Sequence, residues 1–309
     1  MWPFVNGDRE GAIAIVVNIF RHIRDRRTLE VEYSPSSCVP DMKALVESYG
    51  TRSLAARARL ERRVVRYGES SVEEFDIFAA SASADAQSLK PVVVYIHGGY
   101  WQELSKNEHS FPALSLNECG VSYIALNYGL APDASLDEMV ARCRRALVWV
   151  ANHAESLGVD KTAIHVAGSS AGAHLAAMTA LTDWARFGLA SSPLRSLCLM
   201  SGVFDLRPLP LTYVNDALGM TADDALRNSP MLLVDSFQQQ LPRTLVVWGE
   251  HETSEFKRQS LEFATVLARK GAAVRVEEID QRNHFDLVFD LGVPATRFGA
   301  LTLEHFHSH

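Results

Sequence analysis

Short apolar segments alternate with helical segments along most of the chain. Residues 91–96 (PVVVYI) and 121–127 (VSYIALN) are rich in β-branched residues, as strands buried on both faces are. Residues 135–157 then place apolar side chains at helical spacing. The pattern continues with strands at 162–167, 194–201, 244–248 and 273–278 and with helices at 171–184 and 254–270. This order predicts an α/β fold with a mostly parallel central sheet flanked by helices, in which residues 273–278 lie nearer the edge.

Five other segments depart from this alternation. Residues 63–67 and 72–78 are strand-like with no helix between them, which predicts antiparallel first strands. Residues 79–87 (AASASADAQ) are small and polar, and we interpret them as a hairpin or a surface loop. Residues 1–60 are largely helical and polar, and residues 205–236 carry prolines between short helical pieces. Because ligands bind at the carboxyl ends of strands in open α/β sheets, we expect the last two segments to form a helical cap there.

The bulk composition limits the possible partners. The 309 residues are enough for one domain, residues 1–309, and the formal net charge of −7 leaves no basic stripe for a nucleic acid. The apolar run at residues 11–20 is too short to span a bilayer and lacks a preceding basic region, so we expect no membrane partner and no secretion signal. The widely spaced cysteines favour a reducing, cytoplasmic location. Residues 13–20 either join the core or pack on a second copy in a homodimer.

The motif Gly168-Ser169-Ser170-Ala171-Gly172 matches G-x-S-x-G between a predicted strand and a predicted helix. This is the context of a nucleophile elbow, in which glycines allow a sharp, strained turn and a close approach of the strand and the helix. The motif predicts that Ser170 is a nucleophile and that Ser169 points away. It also predicts that the Ala171 amide, at the helix N-terminus, faces an oxyanion. The alternative is a glycine-rich turn without chemistry.

A second motif, His97-Gly98-Gly99-Tyr100-Trp101, follows the strand at 91–96. Acyl transfer creates a negatively charged oxygen, and paired glycines leave backbone amides uncovered to bind it. We expect the amides of Gly99 and Tyr100 to complete an oxyanion hole. His97 and Gly98 are expected to support this loop without transferring protons.

A serine nucleophile needs a base, and the order along the chain in this type of enzyme is serine, acid, histidine. His284, after the last predicted strand, is therefore the predicted base, while His174 is interpreted as a packed structural residue. The acid should follow the strand at 244–248, where its role is to accept the histidine N–H and fix the tautomer. The candidates there are Glu250, Glu252 and Glu255, and we choose Glu252. Asp286 lies too close to the histidine in sequence for the required geometry.

Taken together, these segments resemble the kynurenine formamidase (arylformamidase) branch of the α/β hydrolases. The resemblance runs from about residue 32 to residue 290 and rests on HGGYW, GSSAG, SGVFDLRPLPLTYVNDALGM followed by RNSP, GEHETSEFKRQS and NHFD. It implies an α/β-hydrolase fold, with Ser170 and His284 at the family's nucleophile and base. Glu252 falls where the family usually has aspartate.

The resemblance also implies an activity. Members of the family cleave the formamide of N-formylkynurenine, and others in the branch cleave aryl or small acyl esters. The mechanism runs through an acyl-enzyme and requires no metal or organic cofactor. The implied partner is an aromatic small molecule, with walls expected from Tyr100, Trp101, Phe204 and Tyr213, although Phe204 and Tyr213 are equally well explained as core residues. Two further functions stay open: an acyltransferase or cyclase on the same residues, and a non-catalytic binding protein with this fold.

Overall fold

The computed structural model describes residues 19–80 and 89–308, and within them eight strands form one sheet. The strands are β1 (Arg63–Arg66), β2 (Glu74–Phe78), β3 (Lys90–Ile96), β4 (Ser122–Leu126), β5 (Val159–Ser169), β6 (Leu194–Met200), β7 (Arg243–His251) and β8 (Val274–Asn283). Their order in the sheet is β1-β2-β4-β3-β5-β6-β7-β8. The pairs β1–β2 and β2–β4 are antiparallel and all others are parallel, so the antiparallel start, the parallel sheet and the edge position of the last strand are confirmed.

Ten α-helices accompany this sheet in the described part of the chain. They are α1 (Arg26–Glu32), α2 (Met42–Arg59), α3 (Pro112–Glu118), α4 (Leu136–Asn152), α5 (Ala171–Ala180), α6 (Asn215–Leu218), α7 (Ala222–Arg227), α8 (Pro230–Leu233), α9 (Ser254–Arg269) and α10 (Arg297–His307). Within residues 19–80 and 89–308, none of these helices has both the length and the apolar character needed to cross a bilayer.

Strand β3 shows how the sheet divides the core into two layers. Val92, Val94 and Ile96 pack on one face, in a cluster that includes side chains of α4, α5 and α9. Val93 and Tyr95 point to the other face, where α3 and α10 pack. Alternation with a period of two sends successive strand residues to opposite faces, and both faces are apolar because both are covered by helices. All ten residues of α5 are buried, so the helix after β5 is held firmly against the sheet.

The connection between β2 and β3 is not a hairpin. Strand β4 lies between β2 and β3 in the sheet, so the hairpin interpretation of residues 79–87 is wrong. Most of that connection, residues 81–88, lies outside the described residues, as do residues 1–18 with most of the apolar run at 11–20.

Candidate active site

Ser170 lies on the turn between β5 and α5, with φ of 57° and ψ of −121°. Its backbone amide donates a hydrogen bond to the carbonyl of Met200 at 2.8 Å, which holds the strained turn on the end of β6. The two glycines of the motif are required by packing. A Cβ on Gly172 would lie 1.9 Å from the carbonyl oxygen of Ile96, and one on Gly168 would lie 2.3 Å from the carbonyl oxygen of Gly172. The turn therefore brings the start of α5 against the end of β3.

The loop after β3 lies directly against this turn. A Cβ on Gly98 would be 3.2 Å from the Cβ of Ser170. Gly99 and Tyr100 both adopt positive φ, 102° and 48°, which turns the chain sharply beside the serine. In the described part of the chain, the amides of Gly99, Tyr100 and Ala171 have no hydrogen-bond acceptor. Backbone donors left free beside a serine can bind an oxyanion.

His97 makes two hydrogen bonds at this loop. Its Nδ1 donates to the carbonyl of Gly98 at 2.8 Å, and its own carbonyl accepts from the hydroxyl of Tyr128 at 3.0 Å. Burial lowers the pKa of His97 to about 3, with the neighbouring His109 adding to the effect. The ring therefore stays neutral at physiological pH, which suits a structural role better than proton transfer.

His284 and Glu252 form a buried pair at the carboxyl end of the sheet. Nδ1 of His284 donates to Oε2 of Glu252 at 2.9 Å. The other carboxylate oxygen, Oε1, accepts from the Gly249 amide at 2.7 Å and from the Ser201 hydroxyl at 2.5 Å. Phe256 packs edge-on against the imidazole with 4.7 Å between ring centroids, which fixes the ring plane. Because Nδ1 carries the proton, Nε2 is left as the atom that can accept one.

The other carboxylates considered from the sequence have different partners. Glu250 is exposed and accepts from a backbone amide of β8. Glu255 is buried in an ion pair with an arginine of its own helix. Asp286 accepts from the backbone and side chain of the asparagine three residues before it. Of the four candidates, Glu252 is thus the one that the structure brings to His284.

Ser170 and His284 line the same cavity, which has a volume of about 270 Å³. Aromatic side chains form much of its wall, and three tyrosines among them come from distant parts of the chain. Tyr100 lies on the loop after β3, Tyr213 lies before α6, and Tyr49 projects from α2. The sequence predicted the first two, whereas Tyr49 was missed because nothing in the chain near it marks a binding site.

Trp101 and Phe204, also predicted as aromatic walls, do not line the cavity. Trp101 is fully buried and packs edge-on against His174, at 5.1 Å between ring centroids. Phe204 is fully buried and stacks on Phe263 at 4.2 Å. The prediction for Trp101 is wrong, because its positive φ of 62° turns the ring into the core. For Phe204 the alternative of a core residue holds. His174 has the structural role expected of it, since its Nε2 bonds the carbonyl of Asn228 at 2.7 Å.

Ser201 belongs to this site, although the sequence did not predict it. It follows β6, is fully buried and has φ of 50°. Its hydroxyl donates to Glu252, which lies on the loop after the neighbouring strand β7. The one available signal was its place at the start of SGVFD, a segment that contributed to the family resemblance.

Replacing Ser201 by alanine is expected to lower kcat by about 10-fold to 100-fold, the usual cost of losing a hydrogen bond that orients a functional group. The KM should stay within about twofold, because Ser201 is not among the residues lining the cavity. The matched control is Ser196→Ala at the other end of β6, where the lost hydrogen bond is to His165. An equal loss of kcat in both variants would show that Ser201 acts only through stability.

Comparisons with known proteins agree with this architecture. The BD-FAE family model matches residues 75–193. The kynurenine formamidase of Danio rerio is 35% identical over 272 residues, covering 85% of this chain and 90% of that protein. The kynurenine formamidase of Salmo salar is 35% identical with the same two coverages. The solved structure of EstE1, a thermophilic carboxylesterase from a metagenomic library, superposes with a TM-score of 0.72 at 20% identity, covering 90% of this chain and 99% of that one.

The structural likeness to EstE1 confirms the α/β-hydrolase fold, and the identity to the two fish enzymes extends over most of both chains. These findings confirm the family inferred from the motifs. The chain belongs to the kynurenine formamidase family of α/β hydrolases and is a serine hydrolase of the formamidase and esterase type.

Proposed function

We propose that Ser170, His284 and Glu252 form a catalytic triad that hydrolyses aryl formamides through an acyl-enzyme. The observation that carries this proposal is the buried hydrogen bond between His284 and Glu252 at the cavity that also holds Ser170. The free amides of the loop after β3 support it, because they supply the oxyanion hole that the mechanism needs.

In the first half of the reaction, Oγ of Ser170 attacks the formyl carbon while Nε2 of His284 takes the hydroxyl proton. The carbonyl oxygen becomes an oxyanion held by the amides of Gly99, Tyr100 and Ala171. The tetrahedral intermediate then collapses, the C–N bond breaks, and His284 gives its proton to the leaving arylamine. The products of this half are a formyl ester on Ser170 and a neutral amine.

In the second half, water attacks the formyl ester while His284 takes a proton from it. The second tetrahedral intermediate expels Oγ of Ser170, which recovers the proton from His284, and formic acid leaves and loses its proton to water to give formate. Glu252 stays ionised throughout and stabilises the imidazolium that forms in each half. Each of these steps uses only groups of this chain and water.

The substrate class follows from the cavity and from the relatives. The two fish proteins are kynurenine formamidases, and a cavity of about 270 Å³ bounded by the rings of Tyr49, Tyr100 and Tyr213 fits a single aryl group. A formylated aromatic amine such as N-formylkynurenine is therefore the proposed type of substrate.

The cap is also part of the proposal. The cavity is lined on one side by residues between α1 and α2 and on α2 itself, and on another by Tyr213 and Val214. We assign the described part of residues 1–60 and the segment 205–236 to a cap on the single hydrolase domain. The cytoplasmic location and the homodimer stay predictions, the first supported by four cysteines that are free thiols.

The test is a hydrolysis panel of N-formylkynurenine, other formanilides, acetanilides and short-chain aryl esters. We expect the best formanilide to be hydrolysed with kcat/KM of about 10⁴ M⁻¹ s⁻¹ or more, with one formate released per amine. Labelling by a fluorophosphonate, which requires an activated serine, should occur at Ser170. A chain that neither labels nor hydrolyses any formanilide would contradict the proposal. Transfer of the formyl group to an added amine faster than to water would favour an acyltransferase instead.

A further inference from the structure

We propose that Glu32 and Tyr33, at the end of α1, are positioning residues that fix two loops of the active site relative to each other. One is the loop after β7, which carries Glu252, and the other is the loop after β3, which carries the oxyanion donors. The inference rests on the proposed function, because it assigns these two residues a part in the same reaction. It follows from the hydrogen bonds that the end of α1 makes to both loops.

Helix α9 begins two residues after Glu252 and takes its N-terminal cap from α1. Within the described chain, the side chain of Thr253, the residue before the helix, makes no capping hydrogen bond. Oε2 of Glu32 instead accepts from the Ser254 hydroxyl at 2.8 Å and from the Glu255 amide at 3.1 Å. A carboxylate at this position satisfies free backbone donors and is stabilised by the helix dipole. Glu32 therefore fixes the residues that come directly after the proposed acid.

The backbone of the same two residues adds a contact to each loop. The carbonyl of Glu32 accepts from the hydroxyl of Thr253 at 2.6 Å, and the carbonyl of Tyr33 accepts from the hydroxyl of Tyr100 at 2.5 Å. The amide of Tyr100 is one of the proposed oxyanion donors, and its residue has φ of 48°. A residue other than glycine keeps a positive φ only where its surroundings hold it, so the contact with Tyr33 helps to hold the oxyanion loop in this conformation.

The side chain of Tyr33 reaches the residue that packs on the base. It is 1% exposed, and its hydroxyl donates to Oε2 of Glu255 at 2.7 Å and accepts from Nε2 of Gln259 at 2.9 Å. The rings of Tyr33 and Phe256 are 6.4 Å apart between centroids, and Phe256 is the residue that packs edge-on against His284. Because its hydroxyl is bonded both as donor and as acceptor, Tyr33 is held in one orientation on α9.

These contacts leave little freedom between the two loops. Glu32 and Tyr33 are consecutive, so their Cα atoms are about 3.8 Å apart. Helix α1 is itself anchored by Leu29, which is fully buried. A displacement of either loop must therefore break one of these hydrogen bonds or move α1 out of the core. Because an error of about 1 Å in the placement of a reacting group can cost about 100-fold in rate, losing one contact is expected to lower kcat.

Glu32→Ala is expected to lower kcat for the best aryl formamide by about 10-fold to 100-fold, the usual cost of losing a contact that orients a functional group. The KM should stay within about twofold, because Glu32 is not among the described residues that line the cavity. Glu32→Gln should recover kcat to within about threefold of the unmodified protein, since one amide oxygen can accept from both donors. The matched control is Glu30→Ala in the same helix, where the carboxylate pairs with Arg26 at the surface, and it should leave kcat unchanged.

A double-mutant cycle shows whether Glu32 acts through the acid. In the Glu252→Gln protein, the carboxylate that Glu32 positions is already lost, so adding Glu32→Ala should cost less than about twofold more. An activated aryl ester keeps the residual rates of both proteins measurable. Ser254→Ala removes one of the two donors to the Glu32 carboxylate, and it serves as a second variant if Glu32→Ala does not fold. It should lower kcat by about threefold to tenfold.

Tyr100→Phe tests the link between the two loops. The variant removes only the hydroxyl that donates to the carbonyl of Tyr33, and we expect kcat to fall by about tenfold. If Glu32 and Tyr33 fix one relation between the loops, breaking either contact releases it. The double variant Glu32→Ala with Tyr100→Phe should then have kcat within about threefold of the poorer single variant, because residues that act as a unit have non-additive effects.

The outcomes separate this inference from the proposed function. If the unmodified protein hydrolyses no aryl formamide and no aryl ester, the proposed function fails, and the inference with it. If that protein is active and Glu32→Ala keeps its kcat, or loses as much in the Glu252→Gln protein as in the unmodified one, Glu32 has no positioning role and the proposed function stands. Equal losses in Glu32→Gln and Glu32→Ala would overturn the role of its hydrogen bonds. Losses of Glu32→Ala and Tyr100→Phe that multiply would overturn the link between the loops.

Discussion

Replacing Ser170 by alanine is expected to lower kcat for the best aryl formamide by at least about 10⁴-fold. Alanine removes Oγ, the one atom that can form the acyl-enzyme, and leaves the oxyanion hole and the cavity in place. Alanine also keeps the Cβ, so the cost of holding a residue at φ of 57° is the same in both proteins. The thermal midpoint should therefore be unchanged, and steady-state kinetics with a formate assay would show the loss as chemical.

Ser169→Ala is the matched control, because Ser169 is the adjacent serine and, contrary to the prediction that it points away, also lines the cavity. It lies at the end of β5 and we expect less than about tenfold loss there. Ser170→Gly offers a second control, since glycine adopts positive φ without strain and should raise the free energy of unfolding by up to about 1 kcal/mol while activity is lost. Retention of activity in Ser170→Ala, or its loss only in Ser169→Ala, would move the nucleophile elsewhere.

The fold was predictable because the sheet is covered on both faces. Strands such as β3 must then be apolar at nearly every position, and helices such as α4 and α9 must show one apolar face. Both signals are local in the sequence. The position of β4 between β2 and β3 depends on which strands pair, and no local sequence signal specifies that pairing. The hairpin interpretation of residues 79–87 was wrong for this reason.

The parts of the candidate site that belong to short sequence motifs could be predicted. The turn at Ser170 requires glycines two residues to either side, and the fixed chain order then points to His284. Choosing Glu252 among neighbouring carboxylates relied on the expected loop, and the structure adds the hydrogen bond.

The parts of the site that were missed depend on contacts between distant segments. Tyr49 reaches the cavity from α2, and Ser201 meets Glu252 from the next strand. Trp101 was wrongly predicted to line the cavity. Its positive φ of 62° directs the ring into the core, and a tryptophan in a sequence does not indicate a positive φ in the way that a glycine does.

Replacing Glu252 by glutamine is expected to lower kcat by about 10⁴-fold at neutral pH. The two carboxylate oxygens of Glu252 have different hydrogen-bond donors. Oε1 accepts from the Gly249 amide and the Ser201 hydroxyl, and Oε2 accepts from His284. An amide has only one acceptor oxygen. If that oxygen takes the two donors, its NH₂ faces Nδ1 of His284 and favours the tautomer with the proton on Nε2, which cannot take a proton from Ser170. If it turns to His284, the other two donors are left unpaired in a buried site.

The variant Glu252→Asp distinguishes the effect of the negative charge from the effect of the side-chain length. Glu252→Asp keeps both acceptor oxygens but withdraws the carboxylate by one methylene, so the three hydrogen bonds cannot all keep their lengths, and we expect a loss of about 10-fold to 100-fold. Glu250→Gln is the control, because it makes the same change at the exposed carboxylate two residues away and should cost less than about threefold. Full activity in Glu252→Gln would mean that another group orients His284. Equal losses in the glutamine and aspartate variants would mean that the length of the side chain matters as much as its charge, and that the glutamate is fitted to its three donors.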